Sequence, residues 1–174
     1  MIVLQEQKLL IFTPPKTAST SIHHGLSQLK GAIWVQSDTV GVEKHTTSFP
    51  PQFSDYKRIV VVRDPYQRFL SLWGHHQADC LREKEDFGTI EQHALRVAGR
   101  YHWFYSNILE RYGRCDGYWQ IENIRDVFEQ HDIPVWLPTM NCNSFAKQKM
   151  TDELYAILRD WGNPDALAYG YPTA

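Results

Sequence analysis

The chain has 174 residues, 43% of them hydrophobic and 13% aromatic, which suits one globular domain with a filled core rather than a disordered chain. Lys and Arg number 18 against 20 Asp and Glu, a net charge of −2 that lacks the basic excess of a domain tracking nucleic-acid phosphates. An anionic ligand must therefore be met by a local cluster of charge, and the widely spaced Cys80, Cys115 and Cys142 form neither a disulfide framework nor a four-ligand zinc site.

In chain order, residues 1–12 (MIVLQEQKLLIF) lack the basic start of a signal peptide, and the polar residues 5–8 interrupt them too early for a membrane span. No later apolar run approaches the ~18–20 residues a span needs, so the reading is a cytoplasmic protein with reduced thiols and no anchor of its own. Residues 8–13 (KLLIFT) form the first predicted strand, stopped by Pro14-Pro15. Residues 19–30 carry Ile22, Leu26 and Leu29 at helical spacing, with Ser19 or Thr20 as the cap and Gly31 as the terminator. Residues 32–35 (AIWV) and 58–62 (RIVVV) predict two further strands, the second of the β-branched kind found in buried parallel sheets. A polar loop carrying His45 lies between them. Asp64-Pro65 opens a helix running to about residue 83, with Phe69, Leu72, Trp73 and His76 on one face. Helices over 89–97 and 103–111 follow, then a fourth strand over 117–121 (GYWQI) and a helix bearing Ile124, Val127 and Phe128. A last helix over 151–161 precedes a tail, NPDALAYGYPTA. The alternation predicts a single domain over 1–174, an α/β fold with a mainly parallel sheet.

Two segments carry chemistry. Residues 13–21 (TPPKTASTS) lie where a strand turns into a helix, so backbone N–H groups, the positive helix end and the Lys16 charge suit a phosphate. The lysine precedes the hydroxyl run, and the paired glycines of GxxxxGK[ST] are missing, so this is not a Walker A loop. In residues 58–73, Arg63 follows a buried strand, at the carboxyl edge of the sheet where Lys16 also falls. Ser71, eight residues on, lies two turns into the next helix, where its hydroxyl could join Arg63 on one phosphate.

Together these segments resemble the PAPS-dependent sulfotransferase family. Lys16, Thr17, Ala18, Ser19, Thr20 and Ser21 are similar to its 5′-phosphosulfate loop, usually PKTGTTS or PKSGTT, and Arg63 with Ser71 resembles its 3′-phosphate pair of arginine and serine eight apart. Residues 118–124 (YWQIENI) resemble the strand ending in RFENL, with Gln120 in place of arginine. The stretch from Asn141 to Tyr171, with Asp165 before Ala168-Tyr169-Gly170-Tyr171, is similar to the N…D…FGY ending of the carbohydrate-type, family 2-like branch. Lacking the RKG of the small-molecule branch, the sequence leans the same way, with Lys147 or Lys149 as alternative cations. Ala18 replaces the usual glycine, which implies a backbone φ below zero there.

The resemblance implies a three-layer α/β/α fold of P-loop NTPase-like, nucleotide kinase-like topology. It further implies transfer of a sulfuryl group from 3′-phosphoadenosine 5′-phosphosulfate (PAPS) to an acceptor hydroxyl, on a carbohydrate or other hydroxylated metabolite. Adenosine 3′,5′-bisphosphate (PAP) is then the product, and no metal is required. Lys16 stabilises the leaving phosphate oxygen. A histidine suits the base, and His45, in a segment resembling the family's KHxT, is the first choice, with His102 in the aromatic run 100–105 next. His23/His24 and His75/His76 are adjacent pairs without the i, i+4 spacing of metal ligands, and His93 and His131 read as helix-surface residues. The alternatives are a P-loop-like nucleotide kinase and a non-catalytic nucleotide-binding module on the same fold.

Overall fold

The structure, a computed structural model, describes residues 1–34, 45–100, 103–137 and 148–174. Two apolar runs flank the polar turn at residues 5–8, and they pair as an antiparallel hairpin: β1 (Ile2–Leu4) against β2 (Leu9–Phe12). β1 was not among the predicted strands. It also pairs antiparallel with β3 (Ala32–Trp34), while β2 runs parallel to β4 (Lys57–Val62) and β4 to β5 (Gly117–Gln120). The sheet order is β3-β1-β2-β4-β5, so all strands but β1 point one way, and the α/β fold with a mostly parallel sheet is as expected. The helices, in chain order, are α1 (Ser19–Leu26), α2 (Pro65–Glu83), α3 (Ile90–Ala98), α4 (Ile108–Tyr112), α5 (Ile124–Gln130) and α6 (Asp152–Tyr169). Among the described residues no helix is long and apolar enough to cross a membrane.

The chain divides into two compact units. The first, Met1–Arg63 with Tyr112–Asn141, contains the sheet. Ile2, Leu4, Leu9, Ile11, Ile59, Val61 and Trp119 alternate along their strands onto one face, where Ile22 and Leu26 of α1 and Phe128 of α5 join their cluster. Each such fully buried aliphatic contributes about 1.5–3 kcal/mol. The approach of α1 is close: a Cβ on Gly25 would lie 2.7 Å from both Leu137 and Val135. Phe12 points to the opposite face, its ring 5.9 Å from that of Tyr112 and 6.5 Å from that of Phe49.

The second unit, Asp64–Arg111 with Cys142–Ala174, is helical. As the sequence indicates, Pro65 opens α2, and the Asp64 carboxylate accepts from the Tyr66 and Gln67 amides at 2.9 and 2.8 Å. Thr89 and Gln92 form a capping box on α3. The predicted helix over 103–111 is instead a 3-10 turn at Trp103–Tyr105 followed by α4. Buried Arg68 takes the Phe104 and Ser106 carbonyls, and buried Asp165 takes the Ile108 and Leu109 amides at 2.7 and 2.8 Å, which breaks the helix between them. α6 continues eight residues past its predicted end. It tolerates Pro164 because Trp161, Asp165, Ala166 and Tyr169 are all buried, and Gly170 closes it at φ 74. His93 corrects another expectation: it lies inside this unit, with its surface covered by the rings of Phe69, Trp73, His76 and Tyr105.

Candidate functional site

The loop after β2 is built by short-range bonds. Thr17 sends both its hydroxyl and its amide to the Pro14 carbonyl, at 2.8 and 3.4 Å, which turns the chain back on itself before α1. The turn requires left-handed backbone at Lys16, φ 66, and at Ala18, φ 56 and ψ 27. The expectation of a negative φ at Ala18 is therefore wrong, and the residue carries the strain that glycine avoids at this place.

Ala18 is also the residue that caps α1, which corrects the assignment of that role to Ser19 or Thr20. Its methyl group accepts no hydrogen bond, and Ser19, Thr20 and Ser21 form the first helical turn. The first bond of the helical ladder runs from the Ile22 amide to the Ala18 carbonyl at 3.1 Å. The amides of residues 19–21 therefore precede the ladder, at the positive end of the helix. Arg63, following β4, donates from Nη1 to the Lys16 carbonyl at 3.3 Å. A guanidinium and an ammonium-bearing loop thus meet at the carboxyl ends of two adjacent parallel strands.

His45 belongs to the same unit and is 8% exposed. Its Nδ1–H donates to the Thr13 carbonyl at 2.7 Å, since a carbonyl only accepts. That bond sets the tautomer, so the neutral ring carries its lone pair at Nε2. The Thr13 hydroxyl is bonded in turn to Nε2 of His23, buried on α1, also at 2.7 Å. One residue thus ties the histidine to both the strand end and the helix. The Tyr112 hydroxyl donates to the His45 carbonyl at 2.9 Å.

A model described as the sulfotransferase family matches residues 1–112. The chain belongs to the sulfotransferase family. The match takes in the Lys16 loop, His45, Arg63 and Ser71, and it ends before β5, so the likenesses at 118–124 and 141–171 lie beyond it. No curated protein and no solved structure matches the chain.

Of the residues singled out in this sulfotransferase, Lys16, Thr17, Ala18, Ser19, Thr20, Ser21, His45 and Arg63 share the first unit. Ser71 lies in the second, half-buried on α2. Asp165 works structurally, holding the start of α4. Phe104 and Tyr105 of the aromatic run pack with the core of α2, α3 and α6. His102, Asn141 and Lys147 fall outside the described residues, and Lys149 is exposed. Thr13, His23 and Tyr112 carried no warning of their parts around His45. Tyr112 stands 67 residues from its partner, a separation that no local pattern reports.

Proposed function

We propose that this sulfotransferase takes its sulfuryl group from PAPS, releases PAP, and sulfates a hydroxyl of a carbohydrate or another hydroxylated metabolite. The observation that carries the reading is the start of α1. A helix whose cap, Ala18, offers no side-chain acceptor follows a lysine loop on which Arg63 is docked. Three amides ahead of a ladder and a lysine fit one anionic group, and the arginine docked beside them supplies charge for a second on the same ligand.

In this reading Lys16 and the loop from Thr17 to Ser21 hold the 5′-phosphosulfate. Arg63 holds the 3′-phosphate, and Ser71 is assigned to it by the resemblance alone. The bound donor supplies the sulfuryl group, the bond from acceptor oxygen to sulfur forming as the bond from sulfur to the phosphate oxygen breaks. His45 Nε2 takes the acceptor proton. Lys16 stabilises the charge left on the phosphate, a role in which one well-aimed donor is worth roughly 2.7–4 kcal/mol. The scheme draws on no metal. We read residues 1–174 as a single cytoplasmic domain by resemblance, and a three-layer, P-loop NTPase-like topology is the reading that the strand, loop and helix order around Lys16 and the family support.

Thermal unfolding with PAP, ATP and AMP at equal concentration tests the donor. A ligand at about 100 times its dissociation constant adds ~2.7 kcal/mol, several degrees for a chain of this size. Stabilisation by PAP alone is expected. Stabilisation by ATP alone would favour a kinase, and none at all would favour a module without this donor. Arg63→Ala is expected to weaken PAP far more than adenosine 5′-phosphosulfate, which lacks the 3′-phosphate. Equal weakening in a titration would remove Arg63 from that role.

A further inference from the structure

We infer that Tyr112 is a positioning residue for His45, acting with Phe12 and the Thr13 carbonyl to aim Nε2. The inference rests on His45 being the base. His45 is held at two points. Its carbonyl accepts from the Tyr112 hydroxyl at 2.9 Å, and its Nδ1–H donates to the Thr13 carbonyl at 2.7 Å. The first bond fixes where the backbone of residue 45 sits, and the second fixes which way the ring turns. Either alone leaves one degree of freedom open.

Both holds converge on the end of β2. The Tyr112 ring packs against Phe12 with centroids 5.9 Å apart, and Phe12 directly precedes Thr13. Movement of this strand end therefore carries both anchors of His45 together. The same strand end leads into Pro14, which takes the Thr17 hydroxyl, and into Lys16, which takes Arg63. The histidine is thus registered to the anion loop through three consecutive residues of one strand end. Holding a base in register with a reacting centre is worth large factors, since a misplacement of ~1 Å can cost about a hundredfold.

Tyr112→Phe isolates the effect, because it keeps the ring on Phe12 and removes only the hydroxyl. In the full chain labelled with 15N-histidine, the His45 ring should show a protonated Nδ1 and a pyridine-like Nε2, assigned by their disappearance in His45→Ala. In Tyr112→Phe these two signals are expected to move toward a common average as the ring leaves the Thr13 carbonyl. The His23 signals and the stabilisation by PAP should stay unchanged. Hydrolysis of PAPS, in which water stands as the acceptor and labelled sulfate and PAP are released, should fall roughly ten- to a hundredfold, and Tyr112→Phe should cost nothing further in a His45→Ala background. Phe12→Leu, which loosens the ring contact and keeps the hydroxyl, should average the same signals in part. It serves as the second probe if Tyr112→Phe does not fold.

An unchanged His45 tautomer in both variants overturns the inference. So does a Tyr112→Phe loss that persists undiminished without His45, since the hydroxyl would then act by another route. If His45→Ala itself leaves sulfate release intact, the base assignment falls and the inference falls with it. Loss in His45→Ala alongside wild-type release and an unmoved tautomer in Tyr112→Phe overturns only the positioning role.

Discussion

The two units bury histidine in opposite ways. In the sheet unit His23 and His45 each place a ring nitrogen in a 2.7 Å hydrogen bond to Thr13. In the helical unit His93, with no exposed surface, has no hydrogen bond at either nitrogen among the described residues and is packed among rings, stacked 4.9 Å from His76. A bonded imidazole has a set tautomer and orientation, so its other nitrogen can be used for chemistry. An unbonded buried one costs roughly 1–3 kcal/mol in unmade hydrogen bonds and serves as an aromatic filler. Burial, with smaller help from His76 and Arg96, lowers the His93 pKa to about 3. The sheet unit should accordingly lose function without losing its fold, and the helical unit the reverse.

The largest expected effect falls on the sheet unit. Lys16→Ala should lower sulfuryl transfer about 10²–10³-fold, because it removes a donor aimed at developing charge. The backbone carbonyl by which Lys16 meets Arg63 survives the substitution, so the loss of transfer should far exceed any loss of stability. A variant that unfolded several degrees earlier would mean that the loop is structural and would blur the contrast between the units.

His93 predicts an effect of the other kind. Its folded pKa of about 3 lies below the ordinary 6.5, so the unfolded chain takes up the proton first as the medium is acidified. The contribution of neutral His93 is complete above pH ~6.5 and falls toward pH ~3, by up to ~1.4 kcal/mol per pH unit. The groups facing it are Phe69, Trp73, His76 and Tyr105, with Arg96 adding positive charge, and none supplies a carboxylate to welcome the proton. Denaturant titrations at several pH values should show His93→Phe with a shallower acid dependence than the wild type. Parallel curves would show that protonation reaches His93 without unfolding the unit.

A smaller loss is expected from Gly162→Ala on α6. The new methyl would sit 3.0–3.1 Å from the Tyr66 ring, whose hydroxyl is bonded to Asn163 at 2.7 Å and so cannot easily swing aside. Overpacking of this kind costs about 1–3 kcal/mol, read as a lower denaturant midpoint at constant slope. Unchanged stability would mean that this helix pair yields more readily than its packing suggests.

Legibility in the sequence follows the range of the interaction that decides each feature. Strands of one composition and helices with local caps, such as β4 and α2 with its Asp64-Pro65 start, declare themselves within a few residues. The loop at 16–21 and Arg63 were recognisable because a helix start behind a strand is a local pattern. β1 was readable in principle as an apolar run before a polar turn, yet three residues carry little periodicity. The break before α4, the extension of α6 through Pro164 and the burial of His93 depend on partners tens of residues away. Arg68, Asp165 and the Phe69–Trp73 rings decide them, and nothing local records those contacts. The cap falls at Ala18 although Ser19 and Thr20 offer better local acceptors, because the left-handed backbone, and not a side chain, selects it.

Left-handed residues extend the comparison to the backbone. In the helical unit Lys84 at φ 60 and Gly170 at φ 74 close α2 and α6, the usual place for that conformation. In the sheet unit Ala18 at φ 56 opens α1 instead. An alanine there is strained by roughly 1–2 kcal/mol, while glycine would add about 0.4–1 kcal/mol of freedom to the unfolded chain. Ala18→Gly should therefore stabilise the protein by up to about 1.6 kcal/mol, a rise of ~3–6 °C at most in unfolding temperature. Lys84→Gly provides the matched control and should gain a similar amount. PAP affinity separates the two sites: Ala18→Gly alone should change it, because only that residue stands at the head of the proposed anion loop. A gain in stability at Lys84 with a loss at Ala18 would mean that the loop holds a negative φ in solution. The strain would then belong to a conformation the loop does not keep.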